Sequence, residues 1–374
     1  MKFKIAILCL LVAVTGIIIL SCSGESSPQD SYKIAVIAKS TVSDFWQNVR
    51  RGVKAAATEY NIEISFDGPE NEEDYVAQNE MITSAVARGV DVIVLSAIDY
   101  YESVDAVNAA VAAGVEVVMI DSGVDSDRIS SFIGTDNYEA GRLAGEAVLD
   151  AAIKMNNDDD SSAESITDSN ADSKSESKAD SVADTESNGG DVTKSNDISD
   201  NDGGDIDYSR IIIGLVNYDP NSANGQEREA GLRAVTEENG ATVAGVVNVD
   251  SNIESATAGA LELLNEHPEI NAIVGFNEWT TLGVGYAVEQ LGLADMVAAV
   301  GFDSNVVSIG MLETGEMDAL IVQNPFAIGY IGVQTAYELL NNSEVDETIL
   351  TSATVVTREN MFSESIQRIL FRFD

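Results

Sequence analysis

Cysteine is nearly absent from this chain of 374 residues: Cys9 and Cys22 are the only two, both near the amino end. A disulfide framework, a paired-cysteine redox motif and a cysteine-ligated zinc site are thereby excluded. Histidine is scarcer still, with His267 alone. That removes a histidine-rich metal centre and leaves no spare imidazole for a serine–histidine triad. No metal and no cofactor is expected. Basic residues are few, 20 Lys+Arg against 63 Asp+Glu, for a formal net charge of -43. Nucleic acid is excluded as a partner, because phosphate binding needs clustered Lys and Arg. The same balance argues against electrostatic docking on anionic lipid. No Walker loop, GxSxG elbow or HExxH helix occurs, so the chain is not expected to be an enzyme. What remains is 45% hydrophobic, enough for globular cores, and long enough for about two domains.

The first residues read as an address. Lys2 and Lys4 precede an almost purely apolar run, Ile5–Leu20. Sixteen residues are short for a bilayer span at about 1.5 Å per residue across ~30 Å. The sequence Ile19-Leu20-Ser21-Cys22 then resembles a bacterial lipoprotein signal. That pattern implies a signal peptide over 1–21, cleavage before Cys22, lipid on the Cys22 sulfur and a tether over 22–31. The body would be exported and held at the membrane, facing periplasm or cell exterior.

Apolar runs of strand length then alternate with amphipathic stretches. Strands are expected at Ile34–Ala38, Ile62–Phe66, Val92–Leu95, Val115–Ile120 and Phe132–Gly134, with helices at Asp44–Tyr60, 73–88 and 101–113. A second series has strands at Ile211–Val216, Thr242–Val249, Ala272–Phe276, Ala298–Phe302 and Ala319–Val322. Helices near 225–239, 253–266, 279–291, 304–314 and 327–341 lie between. Strands apolar throughout indicate parallel sheets covered on both faces, so the fold class is α/β with two similar lobes.

Between the series, residues 155–209 hold sixteen Asp+Glu, three Lys and few large apolar side chains. Such a segment cannot bury enough surface to offset its ordering entropy, and it is expected to be a disordered acidic insertion. It joins a helix to the start of a strand, the edge of a parallel sheet opposite to where ligands bind.

Polar residues stand where the apolar runs end: Ser96, Asp121, Asn217, Asn277, Asp303 and Gln323. Open α/β sheets place their ligands at those strand tips. Each could equally be a turn former or helix cap. Ser43, Asp44, Phe45 and Trp46 follow the first strand. The two aromatics fit a ligand-stacking wall or a core contact equally well.

From Tyr32 to about Asn360 the chain resembles the type I periplasmic solute-binding proteins, the sugar-binding components of ABC transporters of the ribose-binding kind. The carrying residues are KIAVIAKSTVSDFWQNVRRGVKAAA, IVLSAID, VVMIDSGVD, FIGTDNYEAGRLAGE, GQEREAGLRA, EHPEINAIVGFNEWTTLGV, VAAVGFDSN and GEMDALIVQNPFAIGY. The resemblance implies two Rossmann-like lobes of a Venus flytrap, joined by crossings near Thr135–Asn137, Gln323–Pro325 and 350–353. An N-terminal lobe would comprise 32–135 plus 324–351, and a C-terminal lobe 136–323 plus 352–366. A monomeric receptor would close on a monosaccharide and deliver it to ABC permease subunits. Family sugar contacts fall on Ser43, Phe45, Trp46, Asp121, Asn277, Asp303 and Gln323. Two family arginines fall on Ser122 and Gln226, with Arg228 two residues further on. Without those guanidinium forks ribose itself is disfavoured, and an amino-bearing solute is an alternative. A ligand sensor signalling to a chemoreceptor or histidine kinase would share the fold.

Overall fold

The computed structural model describes residues 32–168 and 207–371, the side chains of 158–168 excepted. The signal, the tether, Cys22 and residues 169–206 of the acidic insertion lie outside the described residues. The first half runs β1 (Lys33–Ile37), α1 (Asp44–Tyr60), β2 (Glu63–Asp67), α2 (Tyr75–Ala87), β3 (Val92–Leu95), α3 (Val104–Ala112), β4 (Glu116–Ile120) and β5 (Ser131–Thr135). The second runs α4 (Asn137–Asp168), a 3-10 turn (Tyr208–Arg210), β6 (Ile212–Asn217), α5 (Ala223–Asn239), β7 (Thr242–Asn248), α6 (Ile253–Glu266), β8 (Ala272–Gly275), α7 (Glu278–Leu291), β9 (Ala298–Phe302), α8 (Val306–Thr314) and β10 (Ala319–Val322). The chain ends in α9 (Pro325–Leu340), β11 (Thr348–Thr351), β12 (Thr354–Thr357) and α10 (Glu364–Leu370).

These strands form two six-stranded sheets, ordered β11-β5-β4-β3-β1-β2 and β12-β10-β9-β8-β6-β7. Apolar clusters line both faces of each sheet, which is why the strand sequences carry no polar alternation. The chain passes between the two layers after β5, after β10 and between β11 and β12.

Three features differ from the sequence expectation. Each sheet has a sixth strand, β11 or β12, only four residues long and partly exposed at an edge. Neither shows an apolar run. The sheets are not wholly parallel: β12 pairs antiparallel with β10. Ser352 and Ala353 carry the chain almost directly from one sheet to the other, leaving no room for a crossover helix. Third, residues 155–168 of the acidic insertion are helical, as the end of α4. Extending a helix already formed over 137–154 avoids the cost of nucleation.

Several helices start with side-chain caps close to the strand tips. Ser43 caps α1, Asn277 and Asn305 form capping boxes on α7 and α8, and Asn324 precedes Pro325 at the start of α9. Caps satisfy the orphan N–H groups of a first turn and fix where each helix leaves its sheet.

Helices α1 and α9 meet at two glycines. A Cβ on Gly52 would lie 2.0 Å from the Phe326 carbonyl oxygen, and one on Gly329 would lie 2.2 Å from that of Val49. Backbone on the far side cannot yield as a side chain could. Gly52→Ala is therefore expected to destabilise by about 1–3 kcal/mol or more, read as a lowered thermal unfolding midpoint. An unchanged midpoint would contradict this packing.

Candidate functional site

A cavity lies between the sheets, where strand tips of both meet. Lys39, Ser43, Phe45, Trp46, Glu72 and Asp121 line it from the first sheet's side; Tyr218, Asn224, Arg228, Asn277, Glu278 and Asp303 face them, with Trp279 and Gln323.

On the first side, Trp46 is buried and meets Phe45 edge-on, with ring centroids 5.0 Å apart. Its indole N–H donates to Glu72 Oε1 at 2.9 Å. Asp121 ends β4 with φ 60. The next N–H, that of Ser122, donates back to Ile120 O at 2.6 Å, closing a γ-turn around Asp121. Ser96 Oγ donates to Asp121 Oδ2 at 2.9 Å, and Asn224 Nδ2 of the other lobe donates to Oδ1 at 3.0 Å.

On the second side, Asp303 ends β9 with φ 66, in the same left-handed region as Asp121. Gln323 Nε2 donates to Asp303 Oδ1 at 2.7 Å, and Thr135 Oγ1 donates to Gln323 Oε1 at 2.7 Å. Two of the crossing segments are thus tied to a cavity carboxylate. Arg228 is fully buried. Nε donates to Asn137 Oδ1 at 2.8 Å and Nη1 to Phe276 O at 2.7 Å, while the guanidinium lies 4.5 Å from the Phe302 ring centre. Its Nη2 and Asn224 Oδ1 have no hydrogen-bond partner within the protein.

Several bonds cross the cleft and hold it closed. Glu278 accepts the backbone N–H groups of Asp44 (3.3 Å) and Phe45 (3.0 Å), the positive end of α1, a favourable place for a carboxylate. Lys39 Nζ donates to Ser222 Oγ at 3.0 Å, Tyr100 N to Asn221 O at 3.2 Å, and Ser251 N to Glu73 Oε1.

A family model described as periplasmic binding protein domain matches residues 34–344. The chain belongs to the periplasmic binding protein family. The D-ribose/D-allose-binding protein of Pseudomonas aeruginosa is 24% identical over 359 residues, 93% of this chain and 95% of its own. A sugar transporter structure from Clostridium phytofermentans is 28% identical with TM-score 0.67, covering 87% of this chain and 99% of that one. An ABC transporter solute-binding protein from Agrobacterium vitis with bound D-fucose is 26% identical with TM-score 0.73, covering 91% and 100%.

In this binding protein, seven of the nine ligand contacts expected from sequence share the cavity: Ser43, Phe45, Trp46, Asp121, Asn277, Asp303 and Gln323. Two do not. The γ-turn at Asp121 sends Ser122 away from it, into a buried position off the cavity wall. Gln226 is exposed and donates to Pro220 O at 2.7 Å. Positions two apart on a helix face different ways, so Arg228 takes the cavity side of α5 in its place. The cleft therefore does hold a guanidinium. Asn217 is another strand tip outside the wall; its Nδ2 donates to Glu229 Oε2 at 3.0 Å. Lys39, Glu72, Tyr218 and Asn224 were not singled out beforehand. Lys39 had a signal, a cation ending an apolar strand run; Glu72 comes from a loop and had none.

Burial dominates the site's acid–base behaviour. It lowers the Lys39 pKa against the opposing pull of Asp121 and Glu72. It raises Glu72 to about 7 despite Lys39 nearby and the Trp46 bond. Glu278 is raised by burial against the bond from Phe45 N. Burial also raises Asp303 to about 6, opposed by Arg228 and Gln323.

Because folding raises the Asp303 pKa above its ordinary 3.8, the native state keeps a proton that the unfolded chain releases. Stability is then lost as pH rises from about 4 to about 6. In urea unfolding, the stability of the parent relative to Asp303→Asn is expected to fall by on the order of 1–3 kcal/mol over that window. A flat difference would refute the burial of an uncompensated carboxyl.

Proposed function

We propose that this protein is the extracytoplasmic receptor of an ABC sugar transporter, closing on a neutral monosaccharide and handing it to permease subunits. One observation carries the reading. Lys39, Arg228, Glu72, Asp121, Glu278 and Asp303 face one cavity, yet none of them is ion-paired with another among the described residues. Neutral donors and acceptors hold them apart. A ligand of one charge would leave the opposite sign unmet. A hydroxyl accepts from a cation and donates to a carboxylate at once, and both bonds are charge-assisted. Vicinal hydroxyls on a ring supply several such bridges, while the ring's C–H faces pack on Phe45 and Trp46.

The relatives named for ribose and allose and the one holding D-fucose support this class. Closure then follows from the ligand's extra affinity for the form in which both walls touch it. Lipid attachment at Cys22, the tether over 22–31 and monomeric action belong to the same proposal and rest on the sequence. The surplus of carboxylates over cations favours an amino-bearing sugar as a second reading.

Calorimetric titration with D-ribose, D-allose, D-arabinose, D-fucose and matching amino sugars tests both. At least one neutral sugar is expected to bind. Lys39→Met should then weaken it about 10- to 150-fold, the loss of one charge-assisted bond at about 1.5–3 kcal/mol. Binding confined to amino sugars would replace the first reading with the second, and no binding at all would defeat both.

A further inference from the structure

Glu72 lines the cavity but corresponds to none of the sugar contacts assigned above. It sits in the stretch 68–74 between β2 and α2, with sequence GPENEED. Both ends of that stretch are fixed. Gly68 lies against the β1 exit, where a Cβ would be 3.0 Å from the Ala38 carbonyl oxygen. Asp74 caps α2 by accepting the Ala77 N–H at 2.8 Å. Between these anchors two successive carboxylates diverge. Glu73 accepts the Ser251 N–H from the opposite lobe. Ser251 Oγ in turn accepts Asn277 Nδ2, a cavity group, at 3.3 Å. Glu72 points the other way and accepts the Trp46 indole N–H at 2.9 Å.

An indole carries its N–H on one edge only. Its ring torsion has broad, roughly two-fold alternatives that expose different edges and faces. Phe45 meets the Trp46 ring edge-on at 88° and limits its tilt, but an edge-on hydrocarbon contact does not tell the two flips apart. A hydrogen bond to the N–H does.

We infer that Glu72 is a positioning residue of the binding site, selecting the one Trp46 ring orientation that walls the cavity. The charged groups around it are Lys39 at the end of β1, Asp121 at the end of β4 and Glu278 at the start of α7. These leave Trp46 as the hydrogen-bond partner of Glu72 within the protein. Only the ligand arm of the test below rests on the sugar-receptor reading.

The chain has two tryptophans, so Trp279→Phe leaves Trp46 as the sole emitter. In that background the ligand-free protein is compared with and without Glu72→Gln, whose amide oxygen still accepts, and Glu72→Leu, which cannot. Emission and anisotropy of the Gln variant are expected to match the parent at pH 5.5. The parent's emission should change as pH rises through about 7, where Glu72 loses its proton, and the Gln variant's should change less, keeping only the response to Asp303, which loses its proton near 6 in both. The Leu variant should show lowered anisotropy throughout. With Trp279 retained, the Leu variant should bind any monosaccharide that binds the parent about tenfold more weakly, the effect of losing ~1.4 kcal/mol of ring positioning, while Gln restores affinity. Equal behaviour of Gln and Leu, or a pH response as large in Gln as in the parent, would overturn the role. If no monosaccharide binds the parent, the sugar reading fails and the emission arm still decides the role of Glu72.

Discussion

Charge removed from water must be met by close partners, and the closed cleft of this protein meets its charges only in part. Four carboxyls and two cations line it. Each has at least one neutral partner: a hydroxyl for Lys39, an amide and a carbonyl for Arg228, an indole for Glu72, a hydroxyl and an amide for Asp121, two backbone N–H groups for Glu278 and an amide for Asp303. Direct ion pairing would have engaged both cations and left less for a ligand. Burying these carboxyls costs stability, as the raised pKa values of Glu72 and Asp303 record, and leaving them without ion pairs keeps strong hydrogen-bonding capacity available for a polar ligand.

The same constraint explains how the lobes are wired. Left-handed turns at Asp121 and Asp303 occupy corresponding places in the two sheets, and each aims a carboxylate inward. Asn224 reaches Asp121 across the cleft, and Gln323 links Asp303 to Thr135 on another crossing segment. Site and hinge share hydrogen bonds, so closure and ligand contact are parts of one equilibrium. A ligand favours the closed form only through contacts it lacks in the open one.

Much of this was legible along the chain. The β3, β9, β10, α1 and α6 boundaries follow directly from apolar runs and helical spacing, because buried parallel strands and amphipathic helices leave strong local patterns. The edge strands β11 and β12 did not: four half-exposed residues carry no such pattern, and their pairing is decided by partners far away in sequence. At the site, the tips Asp121, Asn277, Asp303 and Gln323 were readable because a parallel sheet puts its strand ends on one edge. Ser122 and Gln226 lie off the cavity wall for a local geometric reason, since a γ-turn and a helical step of two residues each reverse the direction of a side chain.

The amino-acid sequence by itself determined the α/β class, the two lobes, the aromatic pair and the carboxylates at the strand tips, because those depend on near-neighbour periodicity. Only the tertiary structure decided that Arg228 replaces Gln226, that Lys39 and Glu72 join the wall, that Glu278 seats on the N-terminus of α1, and that no two of these charges touch. Those outcomes depend on distances between segments tens to hundreds of residues apart, which packing sets and local sequence does not encode.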